Sequence, residues 1–179
     1  ELRAAVSNGD LKLNFLPWVN AETKRMAGFE ALVRWHHPNL GWISPGEFIP
    51  IAERVGLVSE IGDRVLADAC REATNWPAEM KVSVNVSSHQ FHSGHIVDAV
   101  KWALDGSGLD PARLELEITE GLFVEKTCER LQTIRALRKL GVAIALGDFG
   151  TGSSSLASLL KFPIDRIKVD RSVIASSAV

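Results

Sequence analysis

Gly28-Phe29-Glu30-Ala31-Leu32-Val33-Arg34-Trp35 places two charges inside an otherwise apolar run. Read as a β-strand, it puts Gly28, Glu30, Leu32 and Arg34 on one face and Phe29, Ala31, Val33 and Trp35 on the other. A glutamate in such a run is not buried without a partner. Arg34 shares its face, but four residues along a strand is roughly 13 Å, too far for a direct ion pair. Each charge therefore needs another partner. A metal for Glu30 and a phosphate for Arg34 would serve, and so would structural ion pairs to neighbouring strands. The run alone leaves both readings open.

The same alternation recurs downstream. Ser83 and Asn85 oppose Val82, Val84 and Val86; Glu115 and Glu117 oppose Leu114, Leu116 and Ile118; Arg166, Lys168 and Asp170 oppose Ile167 and Val169. Each strand thus has an apolar face for helices and a face carrying charges or amides.

Helical periodicity fills the gaps between these strands. Leu11–Trp18 and Met26–Trp35 read as strands joined by the polar turn at Asn20-Ala21-Glu22-Thr23. Ser44-Pro45 reads as an N-cap and first-turn proline opening a helix to about Val55. Ser59 is expected to cap a second helix running to about Trp76, with Ile61, Val65, Leu66, Ala69 and Ala73 on one face. Strand Lys81–Val86, a helix at His95–Leu104 and strand Leu114–Ile118 follow. A helix over Glu125–Leu140 stops at Gly141, a natural residue to follow a helix end. Strand Val142–Leu146, a short helix near Ser155–Leu160 and strand Arg166–Val169 complete the reading. Strands separated by helices imply parallel pairing with right-handed crossovers. The fold class is α/β, as either a doubly wound sheet or a (β/α)₈ barrel.

Composition narrows the function. Of 179 residues, 46% are hydrophobic and 23% charged, the balance of a globular domain and not of a disordered chain. No window approaches a membrane span, and Glu1 to Asp10 lack the layout of a signal peptide. Cys70 and Cys128 lack CxxC spacing, so buried thiols in a reducing cytoplasm are expected. A net charge of −2 gives no sign of a nucleic-acid duplex as partner.

Glu30, Asn85, Glu117 and Asp148 offer only oxygen ligands, a set suited to Mg²⁺ or Mn²⁺ rather than zinc. Two such ions would bind phosphoryl oxygens and activate a water for in-line attack. Lys168 would then orient that water, help deprotonate it or stabilise developing charge, unless it simply reaches into solvent.

Six segments, in order, resemble the signature motifs of the EAL phosphodiesterase family. They are Phe29-Glu30-Ala31-Leu32-Val33-Arg34-Trp35; Gly41 to Ile49 with Ala52-Glu53; Val84-Asn85-Val86-Ser87 with Gln90-Phe91; Leu114 to Glu120; Asp148-Phe149-Gly150-Thr151-Gly152 with Ser154-Ser155-Leu156; and Ile167 to Ser172. The resemblance spans essentially the whole chain, residues 1–179, as one domain. It implies a TIM-like (β/α) barrel that opens cyclic di-GMP to linear pGpG with Mg²⁺ or Mn²⁺. By resemblance Glu30, Asn85, Glu117 and Asp148 are metal ligands, and Glu30 and Lys168 are the catalytic pair. Arg34 and Asp170 contact substrate, and Glu120 supports the loop after the fifth strand. The family also implies a cytoplasmic domain, often dimeric, in proteins that can carry a GGDEF or sensory domain and can be tethered to a membrane.

Three departures qualify that expectation. Gly147 stands where the family has the first of two aspartates, on the small-residue face of Ala143 and Ala145. Its loss of a carboxylate predicts weaker metal binding and impaired turnover, with glycine loosening the backbone beside Asp148. Only six strands are legible where a full barrel takes about 250 residues, so the last strands are expected in a longer natural protein. Leu16 replaces the family's usual glutamine and cannot hydrogen-bond the ligand. The alternative reading is a catalytically degenerate domain acting as a cyclic di-GMP receptor or a protein-interaction module.

Overall fold

A computed structural model describes residues 1–92, 94–123, 127–150, 162–170 and 172–173. Its elements run α1 (Leu2–Asn8), β1 (Leu11–Val19), β2 (Met26–His37), β3 (Gly41–Ile43), α2 (Pro45–Arg54), α3 (Val58–Ala73), β4 (Lys81–Val86), α4 (Ser88–His92), α5 (Ile96–Ser107), β5 (Leu114–Thr119), α6 (Thr127–Lys139), β6 (Ala143–Phe149) and β7 (Arg166–Val169). The seven strands form a single sheet in the order β1-β2-β4-β5-β6-β7, with β3 paired to β2. β1–β2 and β2–β3 are antiparallel hairpins. From β2 through β4, β5 and β6 to β7 every pairing is parallel, with helices in the crossovers. This is the wall of a TIM-like (β/α) barrel.

Period-two alternation builds the two sides of that wall. Val82, Val84, Leu114, Leu116, Ile144 and Leu146 are fully buried, packed with Leu66, Ala69 and Cys70 of α3, Ile96 and Val100 of α5, and Ile134 and Leu137 of α6. Burying side chains of this size stabilises by about 1.5–3 kcal/mol each, so the apolar face fixes which face is left for polar residues. A one-residue slip in β4 or β5 would drive Asn85 and Glu117 into the helices.

Several expectations at element ends are corrected. Ser59 lies inside α3, which starts at Val58 and takes Leu57 at its N-cap. The cause is burial: Leu57 and Val58 are both in the core, and Gly56, at φ +72°, turns the chain sharply from α2 so that Leu57 N–H reaches the Ala52 carbonyl. Ser44 does precede α2, but its backbone carbonyl and not its hydroxyl engages the first turn, accepting from Glu47 and Phe48 N–H. Gly141 sits at φ +97° after α6, the left-handed geometry its position requires. Ile167 and Val169 do not face a helix among the described residues; each is nearly half exposed on the outer strand of the described sheet. The short helix expected near Ser155–Leu160 lies outside the described residues. Among the described residues no helix is long and apolar enough to cross a membrane.

Candidate functional site

Register brings the polar residues together. Glu30 of β2 pairs with Ser83 of β4, Asn85 of β4 with Glu117 of β5, and Glu117 with Ala145 of β6. In parallel strands, residues level with one another on the same face form a ring across the sheet. Asn85 Nδ2 donates to Glu30 Oε1 at 2.8 Å, and Ser83 Oγ donates to Glu117 Oε2 at 3.3 Å. Lys168 Nζ donates to Ser83 Oγ at 3.1 Å, hydrogen-bonds Glu117 Oε2, and stands 3.7 Å from Glu30 Oε2. Four strands thus deliver Glu30, Asn85, Glu117 and Lys168 to one place, Asn85, Glu117 and Lys168 near the C-terminal ends of their strands and Glu30 near the end of the parallel pairing of β2 with β4.

Electrostatics at this place pull in opposite directions. Glu117 is 7% exposed, and burial pushes its carboxyl above the usual value of 4.5. The Lys168 ammonium pulls it back down, while the neighbouring Glu30 charge pushes it up; the net shift is upward. The ammonium between two carboxylates marks a position where positive charge is favoured. Among the described residues no three His, Cys, Asp or Glu side chains gather as a metal cluster. The converging donors are instead two carboxylates and an amide, all able to present oxygen, and that chemistry fits a hard divalent ion.

The remaining expected residues stand around this group. β6 is irregular: its register with β7 shifts between Leu146 and Phe149, and Asp148 within that break has φ +51°. Positive φ is tolerated by aspartate more than by most side chains, and it re-aims the strand here. Asp148 is exposed beside Gly147. A Cβ on Gly147 would lie 2.5 Å from Glu117 Oε1, so the Glu117 carboxylate occupies the space a side chain at 147 would take. Buried Glu120 accepts from Gly150 N–H at 2.8 Å and so ties the end of β6 to the turn after β5. Asp170 accepts from the Ser172 N–H at 2.8 Å and from its hydroxyl. Arg34 Nη1 donates to the Val33 carbonyl at 2.8 Å. It lines a cavity of about 330 Å³ that Asn85, Ser87, Gln90 and Glu53 also border, floored by Ile49, Ile61 and Val65.

Sequence reasoning placed Ser83 on the correct face but gave it no part in the site. Its complete burial beneath Lys168 and Glu117 is a product of register and leaves no local signal. The pairing of Glu115 with Arg166, and of Arg166 with Trp18, was likewise missed.

An oxygen-rich, lysine-bearing cluster at the C-terminal ends of parallel strands is the arrangement of a barrel enzyme site. The chain belongs to the EAL domain family, whose model matches residues 1–178. It is 47% identical over 174 residues to the uncharacterized protein y4lL of Sinorhizobium fredii, covering 97% of this chain and 21% of that protein. It is 40% identical over 177 residues to the oxygen sensor protein DosP of Escherichia coli, covering 97% of this chain and 22% of DosP. With the bifunctional diguanylate cyclase/cyclic di-GMP phosphodiesterase MucR of Pseudomonas aeruginosa it shares 40% identity over 178 residues, covering 97% of this chain and 26% of MucR. The chain therefore spans only about a fifth to a quarter of these relatives. The structure of the PaMucR phosphodiesterase in complex with c-di-GMP superposes with a TM-score of 0.92 at 40% identity, covering 99% of this chain and 73% of that one.

Proposed function

We propose that residues 1–179 act as one EAL domain that binds cyclic di-GMP over the strand ends and hydrolyses it to linear pGpG with Mg²⁺ or Mn²⁺, at a rate lowered by Gly147. The observation that carries this reading is the convergence of Glu30, Asn85, Glu117 and Lys168. Its likeness to MucR, named as a cyclic di-GMP phosphodiesterase and solved with c-di-GMP, supports the same ligand.

Glu30, Asn85 and Glu117 would hold the divalent ion, with Asp148 as a further ligand. Bound there, the ion would polarise a phosphoryl oxygen and lower the pKa of a water. Arg34, on the face of Glu30 and at the cavity rim, binds a phosphate of the nucleotide through its planar guanidinium. Lys168 orients the attacking water and stabilises negative charge gathering on the phosphorus oxygens. Water adds to phosphorus, one ester P–O bond breaks, and the departing ribose oxygen takes up a proton. Asp170 contributes to nucleotide contact at the end of β7. Glu120 keeps the turn after β6 in place through Gly150. The setting proposed for the domain is a cytoplasmic, dimeric protein with a GGDEF or sensory module; the names of DosP, an oxygen sensor, and MucR, a diguanylate cyclase as well as a phosphodiesterase, support the module.

The second reading is a cyclic di-GMP receptor without turnover. It is favoured by Gly147, whose missing side chain lets Glu117 close onto Lys168. The two readings separate when purified protein is incubated with cyclic di-GMP and Mg²⁺ or Mn²⁺ and followed for pGpG. Metal-dependent product that vanishes in Glu30→Ala supports the enzyme; binding without product supports the receptor.

A further inference from the structure

One layer below the site, β5 and β7 carry a second ion pair. Glu115 is 1% exposed, and a carboxylate that deep requires a charged or hydrogen-bonding partner. Arg166 supplies it, with Nη1 3.2 Å from Glu115 Oε2. The same guanidinium lies over the Trp18 ring, 4.5 Å from its centroid. Gly28 makes room for that ring: a Cβ there would meet Trp18 Cζ2 at 2.7 Å and the Lys81 carbonyl at 2.3 Å. Arg166 is thus gripped from two strands, β5 through charge and β1 through the aromatic face.

That grip matters because the backbone ties flank Lys168 without including it: Asp165 N–H donates to the Ile144 carbonyl at 2.8 Å and Asp170 N–H to the Phe149 carbonyl at 3.1 Å, while the ladder between them is irregular. Arg166 is level with Ala145 and Ile167 with Leu146, but the next matched pair is Val169 with Phe149. Two residues of β6, Gly147 and Asp148, therefore oppose Lys168 alone, which is the arrangement of a β-bulge. β7 has only four residues, and Ile167 and Val169 are 44% and 46% exposed, so among the described residues packing of its outward face adds little hold. The firmly held neighbour on the inward face, two residues before Lys168, is Arg166.

We propose that Arg166 is a positioning residue for Lys168. The Glu115–Arg166–Trp18 clamp sets the height and register of β7, and through it where the ammonium stands between Glu30 and Glu117. Its consequence for catalysis rests on the function proposed above; its consequence for the ammonium does not.

The test uses the full chain labelled with ¹⁵N-lysine, reading the Lys168 Nζ resonance, assigned with Lys168→Arg. Wild type should show Nζ protons protected from solvent exchange by Ser83 and Glu117. Arg166→Met keeps the stem length but removes the guanidinium, and should lose that protection. Arg166→Lys, which can still pair with Glu115, should restore part of it. Because Arg166→Met leaves Glu115 buried without its cation, Glu115→Gln/Arg166→Met serves as the folded control, and it should also lose protection. If wild type turns over cyclic di-GMP, Arg166→Met should lower kcat about tenfold or more with little change in KM, the size expected for a misplaced catalytic group. Unchanged Nζ protection in both methionine variants would overturn the proposal. Protection lost as proposed in a protein that makes no pGpG would instead count against the phosphodiesterase reading alone.

Discussion

Replacing Gly147 by alanine adds one methyl group where the structure has no room for it. The added Cβ would lie 2.5 Å from Glu117 Oε1, 2.8 Å from its Cγ and 3.1 Å from its Cδ. Gly147 is not among the glycines with positive φ, so the backbone itself accepts a side chain and the cost is steric. Ordinary contact distances require the Glu117 carboxylate to retreat by about 1 Å, which pulls it from Lys168 and Ser83. Overpacking of this kind costs about 1–3 kcal/mol. At about 2–4 °C per kcal/mol for a chain of this size, Gly147→Ala should melt about 2–12 °C below wild type. Gly147→Asp meets the same obstacle and also adds negative charge next to Glu117, so without a divalent ion it should melt lower still. With Mn²⁺ the order should reverse, because the new carboxylate supplies a ligand that alanine cannot. The assay is thermal unfolding of the three proteins with chelator and with Mn²⁺, followed by pGpG formation, in which only the aspartate variant should gain. If Gly147→Ala melts with wild type, Glu117 does not fill the space over residue 147. If Mn²⁺ stabilises the aspartate and alanine variants equally, the missing carboxylate is not what limits metal binding here.

Other consequences are open to direct measurement. Burial holds the Glu117 carboxyl above 4.5, so the folded chain binds that proton more tightly than the unfolded one. Stability from this group is then lost as pH rises from about 4.5 through the folded-state value. Urea titrations across that range should show wild type losing ground to Glu117→Gln as pH increases; the opposite slope would mean that Lys168 outweighs burial. Ser83→Ala removes a fully buried donor to Glu117 and acceptor for Lys168, and should cost about 1–3 kcal/mol in urea unfolding. Burial pushes the Cys70 thiol up to about 12, while Cys128 is exposed. A disulfide-exchange reagent at pH 8 should therefore label Cys128 in the native chain and both thiols only after denaturation. Rapid labelling of native Cys70 would show that the α3 face opens.

Much of this architecture is written locally. In β4 and β5 the alternation of Val82, Val84, Leu114 and Leu116 with Ser83, Asn85, Glu115 and Glu117 announces both the strands and the face that carries chemistry. Long amphipathic helices such as α3 and α6 are equally plain. Short elements were not: β3 has three residues and follows a turn at Pro38-Asn39, and α1 is a seven-residue helix whose one charged side chain is Arg3. Helix starts depend on what is buried nearby, so Leu57 displaced Ser59 at the cap of α3. At the site, residue types were legible but their partners were not. Glu30 proved to be held by Asn85 and Lys168, 55 and 138 residues away in sequence, which only the strand order determines. The bulge opposite Lys168 and the occupation of the Gly147 space by Glu117 are packing outcomes with no signature in either segment.

Calorimetric titration of cyclic di-GMP asks of the protein itself whether the strand-end cluster is a cyclic dinucleotide site. The titration should be run with and without Mn²⁺ on wild type, Arg34→Ala and Glu30→Ala. Wild type should bind saturably, Arg34→Ala should bind more weakly whether or not Mn²⁺ is present, and Glu30→Ala should lose any Mn²⁺-dependent gain. Equal binding by all three folded proteins, or none by wild type, would contradict that assignment.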